Sequence, residues 1–203
     1  KAAPKKRKQA AADPTASGDA TAGEPQPAKK KRAPKPYVPE YRSGSDARTL
    51  RDALGCFATG VTVVTTFEEN GDPVGLTANS FTSVSLDPPL LLVCIAKSSA
   101  SLRALEKADH FAVNVLAESQ VDLSRRFASS AVADKFAEGG WAAGLGGAPV
   151  LAGCAAVFEC EVASRQVAGD HVLFIGRVLR LADLSVAPLL FQGGHYRMLG
   201  EVL

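Results

Sequence analysis

The chain has 203 residues, 46% of them hydrophobic, with a formal net charge of +2. That is enough for one domain with a real core, and the absence of any apolar run of about 18 residues excludes a membrane-spanning helix. The charge is unevenly placed: residues 1–40 hold ten Lys/Arg against four Asp/Glu, and residues 41–203 hold thirteen against seventeen.

Residues 1–43 are rich in Ala, Lys and Pro, with basic runs at Lys5–Lys8 and Lys29–Arg32. They lack hydrophobic periodicity and so cannot offset the entropy of ordering. A disordered basic tail is expected, suited at most to an acidic partner, nucleic acid or an anionic surface. Residues 44–203 are expected to form the folded domain. No apolar leader core is visible, and a cytoplasmic location is the expectation.

In the domain, Ser45–Cys56 reads as a helix with Ser45 at the N-cap and an apolar stripe of Leu50, Ala53, Leu54 and Phe57. Val61–Phe67 alternates like a strand. Asn70-Gly71 marks a hairpin turn.

The stretch Gly75–Ile95 is the most unusual. Its first half carries Thr77, Asn79, Ser80, Thr82, Ser83 and Ser85. Its second half, Leu90–Ile95, is almost purely apolar. Pro88 and Pro89 divide them, which predicts two strands joined by a stiff corner. The apolar half is expected to be a central strand buried on both faces, or a subunit contact. One face of the polar half must meet water or a ligand that uses many short hydrogen-bonding groups.

Further helices are expected at Ser99–Ala108 and Glu118–Ala128, and further strands at His110–Leu116, Cys154–Gln166 and His171–Leu181. A short segment at Leu189–Phe191 leads into Gly193-Gly194-His195-Tyr196. Ser130–Val150 reads as irregular, with Trp141 as a packing residue. About six strands, mostly hairpin-linked and with helices inserted, predict a mainly β, antiparallel barrel and argue against a doubly wound parallel sheet.

Common nucleotide signatures are missing. Gly144-Leu145-Gly146-Gly147 has Pro149 where a dinucleotide fingerprint needs glycine, and it precedes a strand instead of following one. There is no phosphate-loop lysine motif and no nucleophile elbow. The three histidines, His110, His171 and His195, have no metal-ligand spacing. Cys56, Cys94, Cys154 and Cys160 form no C-x-x-C pair. Six strand residues separate the last two by about 20 Å, too far for a disulfide, so buried free thiols are expected.

Four ordered blocks carry a family likeness: Phe57–Thr66, Gly75–Pro89, Gly169-Asp170-His171 and Gly193–Tyr196. Together the chain resembles the flavin reductase-like family, small reductase components of two-component flavin monooxygenases, across about residues 46–199. The resemblance implies an FMN-binding split β-barrel and a homodimer. It implies FMN (or FAD) as flavin, NADH or NADPH as donor, and a separate oxygenase as receiver.

Carried over position by position, Asn79, Ser80, Phe81 and Thr82 would line the flavin ring and ribityl chain, with Ser85 close by. Cys94, Ile95 and Ala96 would offer backbone at the ring edge. Ser101, at the start of a helix, and Arg126 with Phe127 would hold the phosphate. His171, the catalytic candidate, and Tyr196 would sit on the nicotinamide side. Such a site mainly stacks two rings, which explains why no acid–base pair stands out. Two other readings are a flavin- or haem-binding barrel without turnover and a nucleic-acid-associated protein acting through its tail.

Overall fold

The computed structural model describes residues 38–202. Both basic runs of the tail lie outside the described residues, and with them the expectations placed on that segment. The compact body is Arg42–Leu203.

It opens with α1 (Ala47–Leu54). Asp46, not Ser45, caps it: the Asp46 carboxylate accepts the Thr49 amide at 2.7 Å. Then come β1 (Thr59–Gly60), β2 (Thr62–Phe67), β3 (Pro73–Ala78), β4 (Thr82–Leu86) and β5 (Pro89–Ala96). Next are α2 (Leu102–Lys107), β6 (His110–Val115) and α3 (Val121–Ala128). The chain ends with β7 (Trp141–Ala143), β8 (Pro149–Leu151), β9 (Ala156–Ala168), β10 (His171–Asp183), β11 (Leu190–Gln192) and β12 (His195–Arg197).

The expectation of about six strands undercounts, because the short strands β1, β7, β8, β11 and β12 carry too few residues to show a period. The segment expected to be irregular, Ser130–Val150, contains the small antiparallel pair β7–β8. Trp141 there packs edge-on against Phe136, with ring centroids 5.6 Å apart.

Seven strands form one antiparallel sheet in the order β3-β2-β6-β9-β10-β5-β4. β3 and β4 are consecutive in the chain yet occupy opposite edges. Six inter-strand gaps would hold the edges of a flat sheet about 29 Å apart, whereas the link from Ala78 to Thr82 reaches about 14 Å at most. The sheet must therefore curl until its edges approach, and β3 does contact β5. The result is an antiparallel barrel left open at one seam, bridged by Asn79, Ser80 and Phe81. The polar half of the Gly75–Ile95 stretch is thus two strands broken at the seam, not one.

Inside the curl lie Val64, Leu91, Val93, Ile95, Phe111, Val113, Val172 and Phe174. Gly176 of β10 has no room for a side chain, since a Cβ there would lie 2.5 Å from Phe111 Cζ. β5 alternates between buried and half-buried residues; it is not buried on both faces. β2 is: Val63 and Val64 are both fully buried. Its outer face is covered by a second cluster with Leu116, Phe127, Phe136 and Leu189. The β2 hydroxyls survive burial because each finds a carbonyl, Thr62 on Ala78 and Thr66 on His110.

Glu159 lies on β9. It is buried, takes a bidentate contact from Arg180 at 2.7 and 3.0 Å, and accepts the Leu145 amide. Burial alone would raise its carboxyl, but the Arg180 guanidinium and the Leu145 amide outweigh burial and hold it below the usual range. A depressed carboxyl stabilises the fold above the unfolded pKa of about 4.3 and loses that contribution as pH falls through the folded value. Glu159→Gln is therefore expected to melt lower than wild type at pH 7, with the difference closing below about pH 4; a pH-independent gap in thermal melts would refute this.

Candidate functional site

The seam concentrates the polar residues that the sequence singles out. Ser80 is its fastener. Its hydroxyl donates to the Cys94 carbonyl at 2.8 Å and accepts the Cys94 amide at 3.0 Å. Both backbone groups of Cys94 that point towards β4 lie beyond the last β4–β5 pair, Thr82 with Leu92. One side-chain hydroxyl thus stands in for a missing rung of the ladder. Asn79 and Thr82, either side of this contact, are exposed. Phe81 turns the other way and stacks on Phe158, with centroids 5.6 Å apart.

Cys94 is partly buried, and burial pushes its thiol above the ordinary range. Ile95 is fully buried in the core, so only its backbone can face a ligand. Ser85 sits three residues past Thr82, about 10 Å along β4, beyond a bulge at Val84. It is not at the seam.

His171 enters at the end of β5. It opens β10 opposite Ala96, two residues beyond Cys94. Its Nδ1 lies 2.7 Å from Asp170 Oδ1. That contact is the first cause holding the exposed Asp170 carboxyl below its usual range. Lys97 fixes the same corner, its amide donating to Asp170 O and its ammonium to Gly169 O. Ser80, Cys94, Ala96 and His171 therefore follow one strand end.

The other predicted residues cluster around β3 and α3. A cleft of about 760 Å³ is lined there by Gly75, Ser101, Lys135, Phe136 and Trp141 among others. Ser101 is buried and donates to the Gly75 carbonyl at 3.3 Å; its hydroxyl does not cap α2, which has only six residues. Phe127 is core: its ring fills the space a Cβ on Gly75 would need, 2.7 Å away. Arg126 is paired with Glu138 and is not part of the cleft wall.

Tyr196 bonds Ser124 at 3.0 Å under the Arg125 guanidinium. The Ser124 carbonyl in turn accepts the Thr77 hydroxyl at 2.7 Å. Tyr196 thus belongs with α3 and β3, and among the described residues no contact joins it to His171. The cleft and the seam are continuous along the chain, since β3 runs from Gly75 to the seam and β5 leads through Ala96 to Ser101.

Residue-type reasoning missed Lys135 and Ser124. Neither has a motif, and their places follow from α3 and the segment after it folding over β3. It also passed over Thr59, whose hydroxyl is the buried side-chain oxygen without a partner among the described residues. No metal-holding group of His, Cys, Asp or Glu is formed among those residues.

Comparison with known proteins matches residues 54–200 to the flavin reductase like domain. A probable flavin reductase of Rhizobium meliloti is 52% identical over 151 residues, covering 74% of this chain and 48% of that protein. The chain thus spans about half the length of some curated relatives it matches. FMN reductase (NADH) SmoA of Agrobacterium fabrum is 47% identical over 160 residues, covering 79% of this chain and 88% of that one. Among solved structures, the NADH:FAD oxidoreductase SgcE6 of Streptomyces globisporus, in complex with NAD and FAD fragments, aligns with a TM-score of 0.75 and 39% identity. It covers 80% of this chain and 98% of that one. A matched segment that takes in nearly all of the barrel, with relatives of this identity, shows that the chain belongs to the flavin reductase like domain family.

Proposed function

We propose that this protein is an NAD(P)H-dependent flavin reductase that uses FMN or FAD and hands reduced flavin to a separate oxygenase. The observation that carries the reading is the seam. Ser80 locks the link with exposed Asn79 and Thr82 onto β5, and His171 stands at the end of the same strand. A flavin fits these residues. Its flat ring suits an open seam edged by backbone and small polar groups, and a cleft within the usual ligand size range of about 300–1,000 Å³ opens beside Gly75 of the neighbouring β3. SmoA is named an FMN reductase (NADH), and SgcE6 an NADH:FAD oxidoreductase. A further relative, 44% identical over 154 residues, is the reductase subunit HsaB of a flavin-dependent monooxygenase.

When bound, the flavin supplies the electron sink, accepting hydride at N5 from the nicotinamide C4. The chain's own task is to orient and to exclude water. In this reading Asn79, Ser80, Thr82 and the backbone of Cys94–Ala96 border the ring. His171, with Nδ1 anchored on Asp170, keeps Nε2 available for the nicotinamide carboxamide. The homodimer belongs to the same reading: α1 buries none of its residues, and Leu50, Leu54 and the following Phe57 stand exposed on it. A sustained apolar face of that kind marks an association surface. All four cysteines are free, which suits the reducing cytoplasm.

The test is direct. Purified protein mixed with NADH and FMN is expected to consume the near-ultraviolet absorbance of the reduced nicotinamide. No oxidation with either nicotinamide and either flavin would overturn the reading.

A further inference from the structure

Lys97 is exposed, yet both its backbone and its side chain are tied to one turn. Its amide donates to the Asp170 carbonyl at 2.9 Å, and its ammonium donates to the Gly169 carbonyl at 2.7 Å. That turn joins β9 to β10 between the paired residues Ala168 and His171. Gly169 takes a φ of +58°, the left-handed region that glycine enters without a steric penalty. β5 ends at Ala96, which pairs with His171. The ladder stops there, and Lys97 carries the contact one residue further, onto the turn.

The contact matters because of what hangs from the turn. His171 Nδ1 lies 2.7 Å from Asp170 Oδ1, and the two side chains keep 43% and 94% of their full exposure. An exposed pair of this kind is worth at most about 1 kcal/mol and does not hold a ring by itself. It orients the imidazole only where the Asp170 backbone is already fixed, and the two Lys97 bonds fix it. The His171 contact first, and the Lys97 charge last among the favourable causes, hold the Asp170 carboxyl below its usual range. An ionised carboxylate is acceptor only. A neutral imidazole facing it therefore carries its proton on Nδ1 and leaves Nε2 bare.

We propose that Lys97 is a positioning residue for His171: by holding the Gly169-Asp170 turn, it fixes the imidazole and selects the tautomer whose Nε2 accepts a hydrogen bond. A nicotinamide carboxamide N–H is the donor that such an Nε2 suits. That last assignment rests on the flavin reductase reading above, whereas the corner rests on the contacts just given. A rival role for Lys97, direct attraction of the dinucleotide phosphates, predicts an effect on NADH with no change in the imidazole.

The first measurement is the imidazole nitrogen-15 spectrum of the full chain, without flavin or nicotinamide, at a pH where the rings are neutral. His171→Gln identifies the signal. The wild type is expected to show His171 mainly protonated on Nδ1. Lys97→Met and Asp170→Asn should each give a mixture with the Nε2-protonated form, and Lys97→Arg, which keeps a donor, should stay near wild type.

The second measurement is steady-state kinetics. Lys97→Met is expected to raise the KM for NADH about fivefold, equivalent to about 1 kcal/mol of binding, with the flavin KM within about twofold. Lys97→Arg should recover most of the loss. Lys107→Met, which removes an exposed lysine of α2 paired with Glu69, should leave the KM for NADH within about twofold and so controls for general attraction of an anion. An unchanged His171 tautomer in both Lys97→Met and Asp170→Asn, an unchanged KM for NADH in Lys97→Met, or an equal rise for NADH and flavin overturns the positioning role. A wild type that oxidises neither NADH nor NADPH sinks the reductase reading instead, and the ring spectrum, recorded without either ligand, still decides the corner.

Discussion

Asn114→Asp is expected to lower the melting temperature by about 6–20 °C at pH 7, the consequence of about 3–5 kcal/mol from one unpaired buried charge. Asn114 lies in β6 and is fully buried. Its amide nitrogen donates to Val63 O at 3.0 Å and to Thr65 Oγ1 at 3.1 Å, and its oxygen accepts the Leu151 amide at 2.8 Å. One side chain thus ties together β6, β2 and β8. An ionised aspartate keeps the Leu151 bond but turns a bare acceptor on Val63 O.

The substitution is isosteric, so packing is preserved and the electrostatic cost stands alone. A carboxyl disfavoured in this way has its folded pKa raised above the unfolded value of about 3.9. The folded state then binds the extra proton, so the penalty is complete above the folded pKa and fades as pH falls towards the unfolded one. Thermal melts of both proteins at neutral and mildly acid pH measure it. A gap under about 1 kcal/mol, the scale of an ordinary net hydrogen bond, or a gap that ignores pH, would refute the prediction.

Ser80→Ala is the second substitution with a large expected effect, here on ligand use. It leaves the Cys94 amide and carbonyl without their partner at the open seam. Water replaces part of the loss, and the stability cost is about 1–2 kcal/mol. The greater consequence is positional. Without the Ser80 hydroxyl, the Asn79–Thr82 link no longer has a fixed height above β5, and groups displaced from a ring they should border lose their bonds together. The KM for flavin is expected to rise about tenfold, equivalent to about 1.4 kcal/mol of binding. Ser80→Thr, which keeps the hydroxyl, should stay near wild type. Steady-state kinetics with varied flavin measures this, and a flavin KM unchanged in the alanine variant removes the seam from the binding site.

The contrast between Ser80 and Arg126 separates what could be read in residue order from what could not. The hydroxyl-rich stretch is visible because its side chains are the wrong kind for a strand buried on both sides. Arg126 looked equally suitable for a phosphate, yet a partner twelve residues on, Glu138, takes its charge. The burial of Glu159 is tolerable only through the approach of Arg180 and Leu145 from other segments. The stripe on α1 was legible as apolar, but its exposure belongs to the folded chain.

From residue order alone came the strand-rich antiparallel class, the positions of most long elements, and the stretch where ligand chemistry concentrates. These depend on local alternation, turn residues and side-chain type, which act over a few neighbours. Tertiary structure alone decided that β3 and β4 lie on opposite edges of a curled sheet, that a serine side chain completes the ladder where they part, and that Lys135 rather than Arg126 faces the cleft. Those outcomes are set by chain closure and by pairing between groups far apart in sequence, for which no short-range pattern exists.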